Sequence, residues 1–279
     1  MLHQPSRISQ ACLLVFLTTG VTAAPPGDYE RGVSEKLAEA QEPGKAIWLS
    51  AGPDEFLALF ESSEIPGPGR AALILHGLGG HADWPDVIAP LRTGLPARGW
   101  ATLSMQLPVV EPGESWAAHA RTVAPARARV DAALAFLEQR DFQVIAMIGY
   151  GFGGALSAQY LAARRPAVDG FVGISLYAPP YLQDAVDLFA SLERIGVPVM
   201  DVFGGRDIED VRMQADDRRF ALRKNRGRRY RQSIVEGADH LFSDFSVVLV
   251  DRIAGWLDTA VSPTGEDAEA GTAPPIAEP

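Results

Sequence analysis

Short apolar runs, each ending at a glycine or a turn, constrain this sequence more than any other feature. Residues 71–75 read AALIL and residues 144–148 read VIAMI. A strand that is apolar at every position, not at every second one, is covered on both faces. Such coverage belongs to a parallel sheet with helices on both sides. Between these runs lie stretches of helical periodicity: Val130, Leu134 and Leu137 recur on one face of a helix expected over 122–139. Strands are expected at 46–50, 55–60, 71–75, 100–105, 144–148, 171–176, 197–203 and 230–235. Helices are expected at 84–97, 122–139, 153–163, 183–194, 210–223 and 246–257. The first two strands flank Gly52-Pro53-Asp54 and form an antiparallel hairpin. The expectation is an α/β domain over 45–258, with an eight-stranded, mostly parallel sheet and helices on both faces.

Four turn signals sit where such a sheet carries chemistry, beyond the carboxyl ends of strands. His76-Gly77-Leu78-Gly79-Gly80 follows the third strand and Gly149-Tyr150-Gly151-Phe152-Gly153-Gly154 the fifth. Gly204-Gly205-Arg206-Asp207 follows the seventh, and Gly237-Ala238-Asp239-His240 the eighth. Gly149, Gly151 and Gly154 also spell a dinucleotide fingerprint. That reading fails, because no acid closes the next strand and the turn belongs to the fifth strand instead of the first.

Together these turns resemble the α/β-hydrolase superfamily, whose nucleophile elbow, acid and histidine follow one another in that chain order. The runs HGLGGHADWPDVIAPLR, GWATLSMQLPV, GYGFGGA, VPVMDVFGG, YRQSIVEGADH and RIAGWL more narrowly resemble a bacterial exported family of unknown function within it. The resemblance implies an α/β-hydrolase fold over 46–257. It implies Asp207 as the acid, His240 as the histidine, and an oxyanion loop at His76, Gly77 and Leu78 with Phe152 behind the elbow. Asp201, Glu209 and Asp210 stand near enough in sequence to compete with Asp207.

The sequence departs from the superfamily at the residue that matters most. Gly151 occupies the position of the elbow serine. Glycine adopts the strained elbow backbone at little cost, so the turn can persist without its attacking oxygen. Ser104, Ser175 and Tyr150 are the candidates for a displaced nucleophile. The expected function is a non-catalytic or weakly catalytic binder of a small or anionic ligand. The alternatives are an ester or amide hydrolase using His240 and Asp207 with water, and a scaffold for an envelope protein.

The remaining features bound these readings. Residues 11–19, ACLLVFLTT, follow a polar start with Arg7 and precede small residues at 21–24, so 1–24 reads as an export signal and the expected location is the periplasm. Cys12 is the single cysteine and falls within that signal. Five histidines without paired spacing imply no metal site, and no cofactor is expected. The net charge of −10 argues against nucleic acid. Residues 218–231 hold eight bases and no acid, read as a solvated helix end or a contact for an anionic partner.

Residues 25–44 are expected to form a surface extension with helical character near 34–40. Residues 259–279, with four prolines, four acids and no base, are expected to be a disordered tail. The connection between the sixth and seventh strands is too short for a cap domain. The 108–124 segment with Trp116 is the candidate flap over the cleft.

Overall fold

The two apolar runs lie side by side at the centre of the sheet in the computed structural model, which describes residues 27–42, 45–67, 69–164, 166–177, 179–223 and 230–261. In chain order the elements are α1 (Asp28–Glu39), β1 (Ala46–Ala51), β2 (Asp54–Glu61), β3 (Arg70–Leu75), α2 (Ile88–Gly94), β4 (Ala101–Met105), α3 (Trp116–Arg121) and α4 (Val123–Glu138). They continue as β5 (Val144–Tyr150), α5 (Phe152–Arg164), β6 (Gly170–Ile174), α6 (Leu188–Leu192), β7 (Val199–Arg206), α7 (Glu209–Met213), α8 (Ala215–Arg223), β8 (Tyr230–Asp239) and α9 (Ser246–Ala260).

The eight strands form one sheet in the order β1-β2-β4-β3-β5-β6-β7-β8. Pairings of β1 with β2 and of β2 with β4 are antiparallel, and the rest are parallel. Alternation divides each central strand between two cores. Leu73, Leu75, Ile145 and Met147 face the layer of α4 and α5, while Ile74, Ala146 and Ile148 face α2 and α9. The fold is that of an α/β hydrolase without a separate cap: between β6 and β7 the described chain forms a short 3-10 turn, Pro180–Leu182, and the five-residue α6.

Several helices are shorter than their apolar patterns suggest. The helix expected over 84–97 begins only at Ile88, after Pro85, and ends in a 3-10 turn at Pro96–Arg98. Asp187 caps α6 by accepting from the Ala190 amide, which starts that helix late. The helix expected over 210–223 breaks at Gln214 into α7 and α8. Residues 259 and 260 belong to α9, so the helix runs past the expected start of the tail. Residues 262–279 of that tail and the export signal lie outside the described residues.

The extension ahead of the sheet is tied down. Glu30 of α1 is 2% exposed and meets Arg129 of α4 at 2.6 Å, and Arg129 also meets Asp54 of β2 at 2.8 Å. Burial alone would hold the Glu30 carboxyl above the ordinary value. The Arg129 charge opposes that effect without cancelling it. The basic segment is partly internal too: Arg218 is fully buried and pairs with Asp201 at 2.9 Å. Residues 224–229 of that segment lie outside the described residues.

Candidate active site

The elbow between β5 and α5 is built by close packing. A Cβ on Gly153 would stand 2.3 Å from the His76 carbonyl, and one on Gly149 would stand 2.5 Å from the Gly154 Cα. Neither position admits any other residue without backbone movement. Gly151 is different. Its φ of +51° is left-handed, and a Cβ there would meet nothing nearer than Tyr177 Cε1 at 4.0 Å. The turn at 151 therefore leaves room for a side chain. The conformation is held by the Gly151 amide donating to Ile174 and by the Gly151 carbonyl accepting from Ala155.

Asp207 and His240 come together across the ends of β7 and β8. His240 Nδ1 lies 2.6 Å from Asp207 Oδ1. The other carboxylate oxygen accepts from Ser175 Oγ at 2.6 Å and from the Gly204 amide at 3.1 Å, while Oδ1 also accepts from the Ile208 amide at 2.9 Å. Burial pushes the Asp207 carboxyl up. The hydrogen bonds from His240, Ser175 and Gly204 outweigh it and hold the group below the usual carboxylate range. An ionised Asp207 accepts only, so the imidazole proton sits on Nδ1 and Nε2 is left for the cleft. His240 is about a quarter exposed, and its ring lies 5.2 Å from that of Tyr150.

His76 stands behind the oxyanion loop, not in the cleft. It is 1% exposed. Its Nε2 accepts from the Leu107 amide at 2.9 Å, with Gln106 Nε2 at 3.1 Å, so its proton is on Nδ1 and donates to the Gly77 carbonyl at 2.7 Å. Burial pushes its pKa down to about 4, which keeps the ring neutral. The same Gly77 carbonyl accepts from the Gly80 amide at 3.1 Å. In a planar trans peptide the N–H opposes the C=O, so fixing the Gly77 carbonyl turns the Leu78 amide away from His76. Neither the Leu78 amide nor that of Phe152, at the start of α5, has an acceptor among the described residues.

These parts surround a cleft of about 140 Å³. Gly77, Leu78, Gly151, Phe152 and His240 line it, as do Gly80, Trp84, Tyr150, Tyr177 and Leu241. Tyr177 and Leu241 have no motif around them; the one signal for each is an aromatic or apolar residue just past a strand end. Of the candidate nucleophiles, Ser104 is buried with its hydroxyl on the Ala82 carbonyl at 2.6 Å, and Ser175 is spent on Asp207. The Tyr150 hydroxyl reaches the His240 carbonyl at 3.3 Å, and burial raises its pKa. Asp201 faces Arg218, and Glu209 and Asp210 are exposed at the start of α7. Among the described residues, no group of three His, Cys, Asp or Glu side chains gathers as a metal site would require, and no helix is long and apolar enough to cross a membrane.

The sheet order, the elbow and the carboxylate-paired histidine define an α/β-hydrolase-fold protein. Its structure is similar to Est1E from Butyrivibrio proteoclasticus, at 15% identity and a TM-score of 0.63, over 77% of this chain and 98% of the other. It is similar to the dienelactone hydrolase of Anabaena variabilis, at 20% identity and a TM-score of 0.62, over 78% and 97%. An esterase of Pyrococcus furiosus matches at 13% identity and a TM-score of 0.58, over 78% and 90%. No curated protein matches the sequence. The chain belongs to the DUF3530 family, described as a protein of unknown function, whose model matches residues 19–126 and 109–259.

Proposed function

We propose that this is an exported binder of small carboxylate ligands, built on a hydrolase site that has given up its covalent step. The carrying observation is the combination at the elbow. Asp207 and His240 keep a 2.6 Å contact, while residue 151 is a glycine with room beside it. One carboxylate oxygen takes the place of a serine hydroxyl and accepts from protonated His240 Nε2. The other accepts from the Leu78 and Phe152 amides, at the amino end of α5, where the helix dipole favours negative charge. Without an elbow oxygen no acyl adduct forms, a loss worth roughly a millionfold in turnover for triad enzymes. The sequence at 1–24 supports export to the periplasm.

The test is Gly151→Ser. The parent is expected to bind acetate and to leave p-nitrophenyl acetate intact. The serine variant is expected to hydrolyse that ester, and His240→Ala in its background to abolish the gain. A serine variant that folds and shows no turnover would mean that Asp207 and His240 are not in working register.

The retained Asp207–His240 contact favours a second reading, in which His240 deprotonates a water that attacks an activated ester directly. Parent turnover that His240→Ala removes would establish it in place of pure binding.

A further inference from the structure

We propose that the ligand carries an aromatic ring, which leaves the cleft along Tyr177 and stacks on an exposed ledge made by Trp116 and Tyr181. The proposal rests on the carboxylate-binding reading and names the class of acid: aryl carboxylates with a short spacer.

The cleft itself, at about 140 Å³, holds little more than a carboxylate and its first carbons. Whatever else the ligand carries has to leave past a wall. Tyr177 is one of those walls, and burial, together with the nearby Tyr181, pushes its hydroxyl pKa up. Tyr181 lies in the turn Pro180–Leu182 and stacks on Trp116, with ring centroids 3.8 Å apart and planes 23° from parallel. Tyr177, Tyr181 and Trp116 therefore form a series of neighbouring aromatic side chains that begins in the cleft wall.

The outer two rings are open to solvent. Trp116 is 50% exposed and Tyr181 is 42% exposed. They are nevertheless held in place. Ser115 caps α3 by accepting from the Ala118 amide, and Thr122 closes its other end on the His119 carbonyl at 2.7 Å. Two large rings held against each other and about half open to solvent make a platform on which a third ring gains both burial and stacking.

The polar groups around the ledge select the kind of ring. A sugar stacked on tryptophan needs side-chain partners for its hydroxyls. Here the Ser115 hydroxyl is taken by the α3 cap and the Thr122 hydroxyl by the backbone. His119, 5.5 Å from Trp116 between ring centroids, is one polar side chain beside the platform, and Glu114 stands near it. An aromatic ring makes no such demand.

The experiment measures the affinity of the full chain for acetate, 3-phenylpropionate and glucuronate by calorimetry. The parent is expected to bind 3-phenylpropionate at least about tenfold more tightly than acetate, as one added stacking contact implies. That ratio is expected to fall toward one in Trp116→Ala and in Tyr181→Ala, each checked for folding by circular dichroism. Two substitutions on different elements keep the result readable if one of them unfolds the chain. A parent ratio near one, or a high ratio that survives both substitutions, overturns the ledge while leaving carboxylate binding in place. Glucuronate binding more tightly than 3-phenylpropionate overturns the aromatic assignment. If none of the three acids binds, the carboxylate reading falls and the ledge with it.

Discussion

The imidazole of His240 is held 2.6 Å from the Asp207 carboxylate, on the side of the ring away from the cleft. A serine hydrolase uses this contact to make Nε2 a base for its own hydroxyl. Here the contact faces a glycine, and in the carboxylate-binding proposal Nε2 donates to the bound anion instead.

Carboxylate binding should therefore depend on both partners. Asp207→Asn, which removes the supporting charge, and His240→Ala, which removes the donor, should each weaken acetate about tenfold or more by titration calorimetry. Unchanged affinity in both variants would exclude His240 as the donor.

Two of the elbow glycines, Gly151 and Gly153, should respond unequally to one added methyl group. Gly151→Ala has space and meets only the left-handed backbone penalty, about 1–2 kcal/mol. Gly153→Ala, with its Cβ 2.3 Å from the His76 carbonyl, is expected to cost about 3 kcal/mol or more. Chemical denaturation of the two variants makes the comparison, and equal losses would contradict the packing at the elbow.

His76 should give the protein an acid-side weakness. Its folded pKa of about 4 lies below the unfolded value of 6.5, so the unfolded chain takes the proton first as pH falls. Above pH 6.5 the group contributes nothing to the pH dependence. Between 6.5 and about 4 it removes stability, on the order of 3 kcal/mol in total, and below that it adds no further slope. Unfolding free energies of the parent and His76→Asn across this window are expected to show a flatter profile in the variant. Parallel profiles would reject the assignment.

Much of this architecture was legible because each central strand is apolar throughout and each functional turn is spelled with glycine. The antiparallel first pair and the parallel remainder follow from that pattern, whereas the meeting of Asp207 with His240 was implied by the resemblance to the α/β hydrolases. Helix lengths did not, since prolines at 85 and 96 and the Asp187 cap set boundaries that periodicity cannot see. His76 and Leu78 are two residues apart on one loop. Only the direction of a peptide plane decides that one is buried scaffold and the other a wall of the cleft. Arg218 looked like part of a solvated basic run, yet it lies in α8 and its partner Asp201 in β7, beyond any local signal.

That pair yields another prediction. Arg218→Met leaves Asp201 charged and buried, and should destabilise the fold by about 3–5 kcal/mol. Replacing Asp201 with Leu in the same chain should recover most of the loss, because exchanging both charges for apolar groups is often near neutral. Thermal melts of the single and double variants, with no recovery in the double, would show that Arg218 acts through other contacts.

Glu30 reaches across to Arg129 from a helix that precedes every strand. A fragment begun at the first strand would keep all eight strands and still be a poorer folding unit, with a guanidinium sealed in the interior short of one counter-charge. Proteolytic trimming beyond the third residue of that leading helix would thus loosen the molecule from the inside.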